Sequence, residues 1–108
     1  MVVDNLSRVR LFLLGCGFVQ EVDTVQMEYG LYYRYYIPDI KTLFFVNLDR
    51  CVAEARYPDS AYNKANPYAT KDCVTSMTWY DSDDPDTIIA NLTNFFDTTI
   101  NIVRKGYV

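Results

Sequence analysis

The sequence predicts an α+β domain: an antiparallel sheet of three to four strands in a meander, flanked by an N-terminal and a C-terminal helix in the order α-β-β-β-β-α. Three observations carry this expectation. From Val25 to Ile37 (VQMEYGLYYRYYI) the residues alternate, with Val25, Met27, Tyr29, Leu31, Tyr33, Tyr35 and Ile37 on one side. Gln26, Glu28, Gly30, Tyr32, Arg34 and Tyr36 fall on the other side, the period of two that a strand with one buried face requires. Near the C-terminus Ile88, Ile89, Leu92, Phe95, Phe96, Ile100 and Val103 recur at helical spacing. Between these two segments, turn-forming residues separate short runs rich in β-branched and aromatic residues.

The first element, from about Asp4 to Leu14, reads as a helix with Asp4 as N-cap. Leu6, Val9 and Leu13 share one side with Phe12 beside them, and Gly15 and Gly17 supply the stop. Phe18 and Val19 lead into the long strand. Pro38 and Asp39 form the turn after it, and Lys41 to Leu48 (KTLFFVNL) is apolar on both sides in its middle, as in a central strand covered on both faces. Cys51 to Tyr57 alternates as a third strand, with a short helix capped by Asp49 as the other reading. Pro58 to Thr70 (PDSAYNKANPYAT) is a long loop, a length that often carries function, with Tyr62 and Tyr68 as its anchors or its contact residues. Asp72 to Tyr80 is a further strand with Cys73, Thr75, Met77 and Trp79 on one side. Asp84 and Pro85 cap the last helix, Arg104 and Lys105 complement its dipole, and Gly106 ends it. Phe95, in the middle of the stripe, is expected to be buried against the sheet.

With 108 residues, half of them hydrophobic and 22% charged, the chain reads as one domain over 1–108 that builds a core without disulfides or a metal. The three cysteines, Cys16, Cys51 and Cys73, are odd in number and widely spaced, which reads as thiols in a reducing compartment. With no signal-peptide pattern at the start and no apolar run long enough to span a bilayer, the expected location is the cytoplasm, the host's if the source is a virus.

Chemistry is sparsely signalled. There is no His, which removes the commonest general base and zinc ligand, and no thiol can form a Cys–His dyad. GCG at Gly15–Gly17 is too short for a phosphate loop, and Asn91-Leu92-Thr93 lies inside the last helix, where it is not read as a glycosylation site. Asp81, Asp83, Asp84 and Asp86 lack the spacing, mid-loop Gly and closing Glu of a calcium loop and read instead as acids at a helix N-terminus. The chain is therefore read as no enzyme, with no catalytic, cofactor-binding or metal residues. The helix–strands–helix order is similar to that of double-stranded-RNA-binding domains, whose second helix starts with basic residues. DDPD at Asp83 to Asp86 stands in that place here, and a net charge of −4 also argues against direct nucleic-acid binding.

What remains is protein binding. Ten of the residues are Tyr, whose large apolar body and polar tip suit half-buried and interface positions. The even side of the long strand offers Glu28, Tyr32, Arg34 and Tyr36, and the loop adds Tyr62 and Tyr68; Tyr and Arg are the residue types of binding hot spots. A helix packed over that side is the competing reading. The function expected is a small acidic module that inhibits another protein, as viral anti-host or anti-defence proteins and immunity proteins do, with a basic cleft as its complement. A ligand-binding or enzymatic pocket between the sheet and the 58–70 loop is the alternative, as is a homodimer through the tyrosine face.

Overall fold

The computed structural model describes residues 5–22, 31–58 and 72–106. These form helix α1 (Asn5–Cys16), strands β1 (Val19–Val22), β2 (Leu31–Ile37), β3 (Thr42–Asn47), β4 (Val52–Pro58) and β5 (Asp72–Thr78), and helix α2 (Pro85–Gly106), with one 3-10 turn at Pro38–Ile40. The strands cross the sheet in chain order, each antiparallel to the last. The α+β meander between two helices is therefore the fold, with a fifth strand where three to four were expected. That strand is β1: Val19 pairs with Arg34 and Val22 with Leu31, so the chain reverses between Val22 and Leu31. Of the long alternating stretch, Leu31–Ile37 is strand. Asp4, residues 25–30 with Glu28, and residues 59–70 with Tyr62 and Tyr68 lie outside the described residues.

Helix α1 ends in a Schellman motif. Gly17 has φ +105°, its N–H donates to the Leu14 carbonyl at 3.1 Å, and the Phe18 N–H donates to Leu13 O at 3.0 Å. This arrangement recovers two carbonyls the helix leaves orphaned, and Phe18 and Leu13 supply the apolar contact that accompanies it. Gly15, by contrast, lies within the helix. Cys51 to Tyr57 resolves as strand, its start set by a turn in which the Asn47 side chain accepts the Arg50 N–H.

Both helices pack on the same face of the sheet. From the strands this face receives Tyr33, Phe44, Val46, Ala53 and Ala55, all buried. Across the ladder Tyr33 lies opposite Val46 and Val46 opposite Ala53, while Phe44 lies opposite Ala55. The two alanines leave room for α2 to approach β4. From the helices come Val9 and Leu13, and Ile88, Leu92, Phe96 and Val103 at helical spacing. Phe96 stacks between Phe18 and Phe44, with centroids 5.2 and 5.0 Å away, in tilted and edge-on geometry. It is Phe96 that occupies the centre of the stripe; Phe95 is half-buried at the margin, 6.2 Å from Phe44. Arg8 pairs with Asp86 at 2.6 Å, and Cys16 lies across from Asp97, so the helices run side by side in the same direction.

Candidate functional site

Among the described residues, the opposite face of the sheet carries no helix. Its rows read directly from the register. Val19, Arg34, Phe45, Glu54 and Ser76 form one, and Tyr36, Leu43, Arg56 and Val74 the next. Tyr32, Arg34 and Tyr36, joined by their two-residue spacing, thus lie on the open side, with no helix of the described residues over them. Tyr36 is 51% exposed, and Val19 and Val74 are exposed to a similar degree. The expectation that Lys41–Leu48 is covered on both faces is corrected here: Leu43 and Phe45 belong to the open face and are only half-buried. Their shielding comes from side chains within the face.

Phe45 is the hub of that arrangement. Tyr32 meets its ring edge-on at 5.6 Å, and the Arg56 guanidinium carbon sits 5.7 Å from its centroid, within cation–π range. Glu21 accepts a hydrogen bond from the Tyr32 hydroxyl at 3.0 Å and forms an ion pair with Arg34. Glu54 holds Arg56 at 3.5 Å. Each arginine is thus matched by a carboxylate, and this part of the face presents rings and oriented guanidinium planes with little net charge. Phe45, Leu43 and Arg56 were missed in the sequence as members of this surface. Their signal was present: Arg56 alternates correctly with Glu54, but strand register, which only pairing fixes, is needed to place it beside Phe45.

Three of the four acids at the start of α2, Asp83, Asp84 and Asp86, have structural partners. The Thr87 N–H donates to Asp84 Oδ1 at 3.2 Å, the N-cap expected before Pro85; the Thr87 side chain, and then this backbone bond, hold the Asp84 carboxyl below its ordinary value. Asp83 accepts the Tyr80 N–H at 3.1 Å, and Asp86 pairs with Arg8. Among the described residues no group of three or more potential metal ligands lies together. The three cysteines are free thiols. Burial, and then Asp97, push the Cys16 thiol up from its ordinary value.

Among the described residues, clefts open on the helix side. One of about 190 Å³ lies between α1 and α2 over Phe18 and Tyr35. Another, about 390 Å³, lies between α2 and the outer strands, with Tyr57, Thr75, Met77 and Phe95 among its walls. No helix among the described residues is long and apolar enough to cross a membrane. Compared with protein-family models, with curated proteins and with solved structures, the chain gives no match.

Proposed function

We propose that this chain is a protein-binding module, an inhibitor of another protein, and that the open sheet face around Phe45, Tyr32, Arg34 and Tyr36 makes the contact. The observation that carries the reading is the placement of both described helices on one side, which leaves an aromatic face uncovered among the described residues. The clefts described lie on the helix side, whereas this face offers rings and paired charges, as protein contacts do. Arg34 and Arg56 are already matched by carboxylates, which favours a protein surface over a phosphate backbone. Glu21 holds the Arg34 guanidinium in place, so little side-chain freedom is lost when a partner meets it. The overall charge of −4 steers the chain toward a basic partner, while the rings make the contact. This is how an inhibitor of the anti-host or immunity type operates, by occupying a functional surface.

The test pairs folding with capture from the cell that makes the protein. Arg34→Ala and Tyr36→Ala leave stability within about 0.5 kcal/mol, as exposed substitutions do, and at least one weakens partner binding by about 2 kcal/mol or more. Arg34→Lys fails to restore binding, because the planar fork is lost. Capture unaffected by every open-face variant would refute the assignment. A dimer that Tyr36→Ala dissociates would replace the inhibitor with a homo-oligomer using the same face.

A further inference from the structure

Among the described residues the sheet ends at β5, and none of them pairs with the outer edge of that strand. The Trp79 N–H donates to the Cys51 carbonyl at 3.1 Å, next to the Val52–Thr78 pair. In an antiparallel ladder this makes Val52–Thr78 a non-bonded pair and Ala53–Met77 a bonded one. Cys73, Thr75 and Met77 therefore direct their backbone groups to β4, and Val74, Ser76 and Thr78 direct N–H and C=O outward. Among the described residues no strand pairs with this edge. Few of the devices that blunt sheet edges are present: DCVTSMT holds no Pro, Lys or Gly, and its one charge, Asp72, stands at its first position. Beside the edge runs the cleft of about 390 Å³, lined on one side by Asn91, Asn94, Phe95, Thr98 and Ile102 of α2 and floored by Thr75 and Met77. Ile102 is 55% exposed there.

We infer that β5 accepts an extended segment of another protein as a sixth, antiparallel strand, with large apolar side chains at alternate positions filling the cleft under α2 and a basic N-terminal end. Only an extended backbone satisfies a row of outward amides and carbonyls. The size of the cleft sets the side chains. Helix α2 rests over β3 and β4, so a sixth strand lies about 12 Å to the side of its axis at the usual strand spacing. Small Thr75 leaves that gap open, and long side chains entering opposite Cys73, Thr75 and Met77 close it. A second copy of this chain does not fit. Paired β5 edges would place the two α2 axes about 19 Å apart, twice the packing distance of helices. The contact would then be one strand pair, well short of the ~800 Å² per partner of a stable interface. Charge sets the direction: Asp81 and Asp83 follow the end of β5, where an antiparallel segment begins. Their field reaches this end of the sheet, where the Cys51 thiol is raised first by burial and then by Asp81, Asp83 and Asp49.

The experiment uses a dye-labelled synthetic peptide of two lysines followed by alternating leucine and threonine, read by fluorescence anisotropy against the full chain. The leucines face the cleft, so the threonine amides are the ones that meet Val74, Ser76 and Thr78. Saturable binding is expected. Methylating the threonine amides should weaken it by about tenfold or more, and methylating the leucine amides should not. Ser76→Pro removes an outward donor, keeps the fold as edge prolines do, and weakens the peptide by a similar factor. Absence of saturable binding, equal effects of the two methylation patterns, or a folded Ser76→Pro protein that binds like the parent would each overturn the inference. So would unfolding of Ser76→Pro, which would make that N–H a ladder donor.

Discussion

Gly15 and Gly17 stand two residues apart, and the structure assigns opposite signs to their substitution by alanine. Gly17 has φ +105°, a conformation that L side chains rarely adopt, and a Cβ there would come 3.1 Å from Cε2 of Tyr35. Left-handed backbone costs a non-glycine residue about 1–2 kcal/mol. The half-buried Tyr35 ring must also shift, and it stacks on Phe18 at 5.3 Å, so the displacement reaches the core. A total of about 2 kcal/mol or more follows, which lowers the melting temperature by about 10 °C in a domain of this size. Gly15 is helical and exposed, and a Cβ added there would meet nothing within 4 Å. Gly15→Ala should therefore stabilise by about 0.5–1 kcal/mol through helix propensity. Urea unfolding followed by far-ultraviolet circular dichroism measures both, and with a slope of about 1–3 kcal/mol/M the two midpoints should separate by about 1 M or more. Shifts of the same sign, or an unchanged Gly17→Ala midpoint, would refute the Schellman assignment and the close approach to Tyr35.

Other consequences can be checked with the same methods. Phe96→Ala should cost about 3–5 kcal/mol as a fully packed ring, and Phe95→Ala distinctly less, because that ring already borders the cleft; thermal melts of the two variants decide the order. Asp84 has its folded value lowered from 3.8 by the Thr87 side-chain and backbone bonds, so its contribution is present above about pH 4 and fades as pH falls through the folded value. Asp84→Asn should keep the cap and lose this pH dependence, whereas Asp84→Ala should lower the midpoint at pH 7 and converge with the parent in acid. The Cys16 thiol should alkylate with a midpoint above its ordinary 9.0, and Asp97→Asn should move that midpoint down, as pH-dependent iodoacetamide labelling would show.

Much of the fold was legible because its signals are local. Asp84-Pro85 and the stripe from Ile88 to Val103 define α2 from sequence, and the alternation of Cys51 to Tyr57 correctly assigns Ala53 and Ala55 to one side and Glu54 and Arg56 to the other. The fifth strand was not legible, because period two continues unbroken through Val25 to Ile37. Alternation reports which way side chains point and is silent on where a chain reverses. The position of Phe96 rather than Phe95 at the core centre is a rotation of one residue about the helix, finer than a hydrophobic stripe specifies. The open face was half legible. Tyr32, Arg34 and Tyr36 share a side by spacing alone, but both sides of that strand are aromatic, and only tertiary packing determines which one the helices take. Phe45 was hidden for a related reason: an apolar residue on a fully covered strand and one shielded by Tyr32 and Arg56 leave the same trace in sequence.

Both bare surfaces have one cause, the way the helices are tethered. Gly17 and Phe18 alone separate α1 from β1, so α1 stays near the β1 side, where Phe12 and Cys16 meet Phe18 and Tyr35 around a shared cleft. Helix α2 then packs against α1, with Arg8 on Asp86, and comes to rest over β3 and β4. Two helices at 8–10 Å separation cover about four strands at 4.8 Å spacing, and the fifth is left beyond the cover. The same tethers keep both helices on one side, because the Schellman turn delivers Phe18 to the buried face and Val19 to the open one. The two helices among the described residues, both on one face, leave the second face to its own side chains. Its aromatic rows are instead held in order by Glu21 and Glu54, which fix the two arginines, while Arg56 and Tyr32 shield Phe45. Ion pairs at half-exposed positions stabilise little, so their consequence is geometric: they keep a contact surface assembled while it faces water.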